Sequence, residues 1–311
     1  MQNLTIGLDI IFPVFLVILT GYFLKLKNLI DDNFVARSTT LVFYVALPAK
    51  LFFDIKNSQI EKLDIRYTLY LLLGTLAIFS LSWIIGRLFI KEDRKLSAFV
   101  HCAYRSNFIY IGIPILEMIY SGDSMDSVLV VIIFGLTFYN MLSIVLLTYY
   151  GGGKLSAKSF LLKIIKNPMI VSVCLGLFAK LINLPIYEGI EEGASLIARL
   201  TTPLSLILIG GSLDFKKSKS DNLIIFSSAL IKNALGAAVL VPLGYFMGFS
   251  NSQLIVAYLF FATPCAVNCF IMGKQMGSDA LLTSKIITAS FAMSIVTYSV
   301  GIALLNYFGI I

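Results

Sequence analysis

Long apolar runs alternate with short polar, charged stretches along the whole chain. Residues 8–24, 41–53, 67–85, 128–149 and 169–178 are nearly free of charge. Most of these runs reach, or extend to, the roughly 20 residues that a helix needs to cross a bilayer. Marking every such segment gives ten expected spans: 8–25, 37–55, 67–87, 97–121, 125–149, 163–183, 194–213, 222–247, 252–275 and 280–308. The pattern predicts an all-α integral membrane protein.

The basic residues between the spans predict its orientation. Alternate connections hold Lys25, Lys27, Arg37; Arg87, Lys91, Arg94, Lys95; Lys154, Lys158, Lys163, Lys166; Lys216, Lys217, Lys219; and Lys274. That is fifteen, against three (Lys56, Lys62, Arg66) on the opposite side. Basic residues collect on the cytoplasmic side, so both termini are expected outside the cytoplasm of the cell membrane. No Lys or Arg precedes the first apolar run and no small-residue cleavage site follows it, which is not the pattern of a signal peptide.

Sliding the chain by 155 residues lays GYFLKLKNL (21–29) over GLFAKLINL (176–184), and puts Pro13 on Pro168, Pro48 on Pro203 and Gly122 on Gly277. Proline is scarce enough for those matches to carry weight. The reading is two repeats, 1–150 and 151–311. Five spans each is an odd number, so the second repeat enters the membrane from the opposite face. Inverted repeats of this kind build many secondary transporters.

Two spans are interrupted. RSNFIYIGIPILEMIY (105–120) carries Gly112 and Pro114, and FATPCAVNCFIMGKQMG (261–277) carries Pro264. The 155-residue shift maps 109–114 onto 264–269, so both copies are expected to break at about the same depth. Proline removes a donor and clashes with the preceding turn. A helix broken at membrane depth belongs against a cavity or other protein. The N-termini of the outgoing half-helices favour an anion. Ser106, Asn107, Thr263 and Asn268 add hydrogen-bonding side chains nearby. The competing reading is a pair of kinked helices with Asn as interhelical glue.

The stretches LVFYVALPAKLFF (41–53), RSNFIYIGIPIL (105–116), LTTPLSLILIGGSL (200–213) and ATPCAVNCFIMGKQMGSDA (262–280) resemble the auxin efflux carrier family over nearly the whole chain. The most specific part is the P-x-x-x-N from Pro264 to Asn268. The resemblance implies a fold like that of the bile acid/sodium symporters. Helices four and nine would cross at their breaks, with substrate bound there. It further implies a scaffold and homodimer contact from helices one, two, six and seven, and a moving bundle from helices three to five and eight to ten. Only about a dozen residues (151–162) join the repeats, so the long loop of plant members is missing, as in a prokaryotic member. A small carboxylate, a dicarboxylate or an auxin-like anion is then the expected substrate.

Composition narrows the alternatives. Of 311 residues 58% are hydrophobic and 13% charged, about half the charge of a soluble domain at roughly 25%. The net charge of +7 is spread over the connections rather than gathered in a basic domain, so no nucleic-acid partner is expected, only membrane lipid. There is no phosphate-binding G-x-x-x-x-G-K-[ST] sequence for an ATP-driven pump.

Charges inside spans are rare and often functional. Arg105, eight residues into span four, and Lys232, near the centre of span eight, are the candidates for binding an anion; Asn140 of span five, a further polar candidate for the substrate site, faces either the bundle interior or another helix. Lys50, Glu117, Lys180, Arg199 and Lys285 also lie in spans. His101 is the only histidine. Cys102, Cys174, Cys265 and Cys269 read as reduced packing residues. Cys265 and Cys269, four apart, are two thiols and too few for a metal site. The expectation is a carrier rather than an enzyme, with no cofactor and H⁺ or Na⁺ as the candidate coupling ion. The alternatives are a sodium-coupled symporter of the bile acid type, an intramembrane enzyme, and a receptor or passive channel.

Overall fold

A computed structural model describes residues 2–57, 64–119, 125–151, 168–213 and 221–311. The expected basic clusters at 154–166 and 216–219, with Lys62 and Gly122, lie outside these residues. The described residues are helical throughout, apart from turns and one isolated antiparallel bridge. In chain order the helices are α1 (Gln2–Leu26), α2 (Asp32–Asn57), α3 (Ile65–Phe89), α4 (Asp93–Tyr104), α5 (Phe108–Ile119), α6 (Asp126–Gly151), α7 (Pro168–Leu181), α8 (Glu188–Ser212), α9 (Asn222–Phe246), α10 (Asn251–Ala262), α11 (Asn268–Gln275) and α12 (Ala280–Tyr307).

Six of these, α2, α3, α6, α8, α9 and α12, are long and apolar enough to cross a membrane. Four shorter apolar helices, Phe15–Leu26, Phe108–Ile119, Ile170–Leu181 and Asn251–Ala262, fall where the remaining expected spans lie. The chain is that of a multi-pass membrane protein.

Local chemistry sets the helix starts. Asp31 accepts from the Phe34 amide at 2.6 Å, Asp64 from those of Arg66 and Tyr67, and Asp279 from that of Leu282 at 2.9 Å. Ser250 and Gln253 form a reciprocal capping box at α10. Helix ends α1 and α7 are alike in detail. Asn28 and Asn183, 155 residues apart, are the two non-glycine residues with positive φ among those described, at 55° and 48°. In each end the next residue returns its amide to a carbonyl five positions back, Leu29 to Leu24 and Leu184 to Ala179, both at 2.9 Å. Asn tolerates this left-handed conformation.

The same shift relates two helix contacts. Gly21 of α1 packs on the backbone of Ile207 in α8, and Gly176 of α7 packs on the backbone of Phe52 in α2. Adding 155 turns 21 into 176 and 52 into 207. Gly210 of α8 likewise lies on the backbone of Ile18 and Tyr22 in α1. Small residues allow helices to approach this closely in a membrane, where packing rather than water exclusion holds them together.

The most enclosed helices are the short ones that run into the breaks. Every residue of 96–104 in α4 and 254–262 in α10 is buried. Polar groups are buried with them, among them His101, Arg105, Asn107, Lys232 and Asn233.

Candidate functional site

The two interruptions meet at one point. α4 ends at Tyr104 and α5 begins at Phe108; α10 ends at Ala262 and α11 begins at Asn268. Between them the chains pair antiparallel at Ser106 and Cys265. Asn107 N donates to Pro264 O at 3.0 Å, and Ala266 N to Arg105 O at 3.1 Å. Cys265 N donates to the Ser290 hydroxyl of α12 at 2.9 Å. Each break thus satisfies backbone groups of the other, which is how irregular backbone survives at membrane depth. Pro264 fits because it has no amide to satisfy and offers only its carbonyl.

The first break is not where the prolines suggested. It lies at residues 105–107, while Pro114 sits in α5 beyond a π-helical turn over Phe108–Gly112. That turn carries the Ile113 amide to Phe108 O, a five-residue step that accommodates the following proline without interrupting the helix. The bridged residues are 265 − 106 = 159 apart, four more than the ungapped repeat shift. Gly112 and Pro114 are buried in helix packing rather than at the break. The Gly112 Cα faces the Phe108 ring, with room for no side chain.

Arg105 is the best connected residue of the crossing. Its guanidinium donates from Nη2 to Asn140 Oδ1 at 2.7 Å, and from Nη1 to Ser143 Oγ at 2.8 Å and Met272 Sδ at 3.0 Å. Asn140 and Ser143 lie one turn apart on α6, so both face the break. Ser143 is also within 2.7 Å of the Tyr104 hydroxyl and 3.1 Å of His101 Nε2, and donates to Tyr139 O. His101 is therefore a member of this network. All of these partners of Arg105 are neutral; no described carboxylate pairs with it.

On the other side, buried Lys232 of α9 donates to Phe261 O at 2.6 Å. Its neighbour Asn233 donates to Ser290 O at 2.6 Å and accepts from Ser290 Oγ at 2.5 Å. Ser290 in turn holds the Cys265 amide, so α9 and α12 brace the second break as α6 braces the first. Thr263 closes α10 by donating its hydroxyl to Leu259 O. Asn268 is the first residue of α11 and is exposed, whereas Asn107 is buried. The Asn107 side-chain amide nitrogen makes no hydrogen bond, while Ser106 Oγ lies beside the Tyr139 hydroxyl.

Sequence reasoning missed Ser143, Tyr104, Asn233 and Ser290. The spacing of Asn140 and Ser143 by one helical turn is a usable signal for Ser143; nothing local marks Ser290. Glu117, whose role the sequence left open, pairs with Lys50 of α2 at 2.7 Å on a partly exposed face.

Comparison with known proteins then decides the family, since the membrane transport protein family matches residues 7–302. This chain belongs to that family. The family is the auxin efflux carrier-like one, as the resemblance implied. A relative in Escherichia coli, "Uncharacterized transporter YfdV", is 25% identical, with 98% of each chain covered. "Uncharacterized transporter MJ1031" of Methanocaldococcus jannaschii is 23% identical, covering 94% of this chain and 97% of its own. The protein is a membrane transporter.

Proposed function

We propose that this family member is a secondary transporter of a small organic anion, a carboxylate or dicarboxylate, bound at the crossing of its two broken helices. The observation that carries the reading is Arg105: a buried guanidinium whose described partners are all neutral, next to an Asn107 side-chain amide nitrogen with no partner. A buried charge is costly unless it is paired. An anion from solution supplies the missing charge, and the amide a further donor.

In this reading the chain forms ten spans as two inverted five-helix repeats, 1–150 and 151–311. The matched helix ends at Asn28 and Asn183 and the reciprocal contacts of Gly21 and Gly176 support it. α1, α2, α7 and α8 form the scaffold and the homodimer contact. The rest moves as an elevator-type bundle that carries the crossing across the membrane, with both termini outside the cytoplasm. Of the two coupling ions, H⁺ fits better than Na⁺, because the Lys232 ammonium already occupies Phe261 O at the edge of the break. A sodium-coupled symporter would need such carbonyls for its cation.

The test is a thermal-shift screen of purified protein against mono- and dicarboxylates, with and without sodium. A ligand at 100 times its Kd stabilises the folded state by about 2.7 kcal/mol. Arg105→Gln abolishes the carboxylate shift, and Asn268→Leu, which places apolar bulk at the exposed start of α11, weakens it about ten- to a hundredfold, the equivalent of one charged hydrogen bond. Equal shifts in wild type and both variants would remove the crossing as the anion site.

A further inference from the structure

Three of the four cysteines meet at the crossing. The Sγ atoms of Cys102 in α4, Cys265 in the second break and Cys269 in α11 all lie within 4.8 Å of one another, and all three side chains are fully buried. The fourth, Cys174 of α7, is exposed. The sequence offered Cys265 and Cys269 as a pair too small for a metal. The third thiol arrives from a residue more than 160 positions away in the chain, brought in by the pairing of the two breaks.

We propose that Cys102, Cys265 and Cys269 form a three-thiolate site for one soft monovalent d¹⁰ cation, of which Cu(I) is the cellular example. Thiolates select such ions over hard cations. Zinc in a structural site takes four ligands, and no fourth His, Cys or carboxylate joins this cluster among the described residues. A trigonal ion is content with three. At a metal–sulfur distance of about 2.3 Å, trigonal geometry separates the sulfurs by about 4 Å, so closure from the observed spacing takes less than about 1 Å of side-chain adjustment.

Binding replaces three S–H protons with one cation, leaving a cluster of charge −2 from M⁺ and three thiolates. The surroundings suit that charge. Lys232 and His101 both lie in electrostatic range of the thiols, and the Ser143-linked Arg105 flanks the same end of α4. Cys269 Sγ now donates weakly to His101 O at 3.6 Å and Cys265 Sγ to Ala266 O at 3.7 Å; these are the contacts that deprotonation gives up. Cys269 follows the exposed Asn268 directly, so the cluster lies one residue from a surface of α11. An ion there ties α4 to the second break and to α11 beyond it, and stiffens the crossing.

The experiment uses reduced, purified full-length protein titrated with Cu(I) supplied as its bicinchoninate complex. The expected result is one Cu(I) per chain, an ultraviolet thiolate-to-copper band, and X-ray absorption showing three sulfur neighbours at about 2.2–2.3 Å, the range of metal–thiolate bonds. Cys102→Ser and Cys269→Ser lower the affinity at least about a hundredfold, and Cys174→Ser leaves it unchanged. The absorption spectra are read on wild-type protein, so they decide the matter even if a serine variant fails to fold. No copper retained by wild type, a two-sulfur spectrum, a disulfide found by mass spectrometry in its place, or full binding in Cys102→Ser would each overturn the proposal.

Discussion

Replacing Gly210 by alanine separates two helices that now touch backbone to backbone. A Cβ built on Gly210 overlaps the Ile18 carbonyl oxygen of α1 and lies 2.8 Å from Tyr22 N and 2.9 Å from the Ile18 carbonyl carbon. Carbon atoms in favourable contact sit about 3.5–4.0 Å apart, so α1 and α8 must part by at least about 1 Å. A gap of that size forfeits about a quarter to a half of the dispersion well for every atom pair along the seam. Overpacking typically costs about 1–3 kcal/mol, and the better helix propensity of alanine returns up to about 1 kcal/mol. Because the clash is with backbone rather than a yielding side chain, the upper end of that range applies, and the net expectation is a loss of about 2 kcal/mol.

The chain supplies its own controls. Gly193, also in α8, has nothing within 4 Å of a new Cβ, so Gly193→Ala keeps the propensity gain and stabilises by up to about 1 kcal/mol. Gly176→Ala meets Phe52 O at 2.9 Å and the Ile55 Cβ at 3.2 Å, a milder backbone clash than at Gly210, so it should cost less than Gly210→Ala. Gly21→Ala should match Gly210→Ala, and the double variant should cost less than the sum, because one separation makes room for both methyls. Thermal unfolding in detergent with a tryptophan or CD readout gives the order. Gly210→Ala as stable as Gly193→Ala would show that α1 and α8 do not approach through these glycines, and the reciprocal contact behind the repeat would fall with it.

Three further expectations concern other parts of the molecule. Asn233→Ala removes the acceptor of the Ser290 hydroxyl that holds the second break and a donor to the Ser290 carbonyl, and a buried group left unsatisfied costs about 1–3 kcal/mol; unfolding titrations that show no loss would mean the break does not depend on α9. Asp64 is desolvated, which raises its pKa, but the Gln253 side chain and the Tyr67 and Arg66 amides outweigh that and hold its carboxyl below the usual value. A depressed carboxylate stabilises above its unfolded pKa, about 3.9, and loses that contribution as pH falls through the folded value. Melting temperature should therefore fall more steeply below pH 4 in wild type than in Asp64→Ala, and parallel acid limbs would refute the cap's role. A cysteine appended after Ile311 in a Cys174→Ser background should react with an impermeant maleimide in intact cells, while one at position 156 should need permeabilised cells; the reverse pattern inverts the orientation.

What the sequence made legible follows from how local each signal is. Helix ends are local, and the GYFLKLKNL and GLFAKLINL stretches, read only as a repeat, become the same left-handed asparagine turn at Asn28 and Asn183. The second break is local too, since Pro264 cannot continue a helix and Asn268 restarts one. The first break carries no proline. Arg105 to Asn107 leave the helix because their backbone is claimed by Pro264 and Ala266 across the bridge, and no neighbour in sequence announces that partner. Pro114 misled because a π turn absorbs it. The same non-local step hides the chemistry: Ser290 reads as one of many membrane serines until the break lays the Cys265 amide on it, and Cys102 as a packing residue until the bridge sets it beside Cys265 and Cys269. Residues whose role depends on the pairing of the two breaks could be named from the chain as polar or soft, but not assigned a partner. That is why Arg105 and Asn140 were found as separate candidates, and why their direct bond, which leaves the guanidinium facing neutral groups alone, came only with the fold.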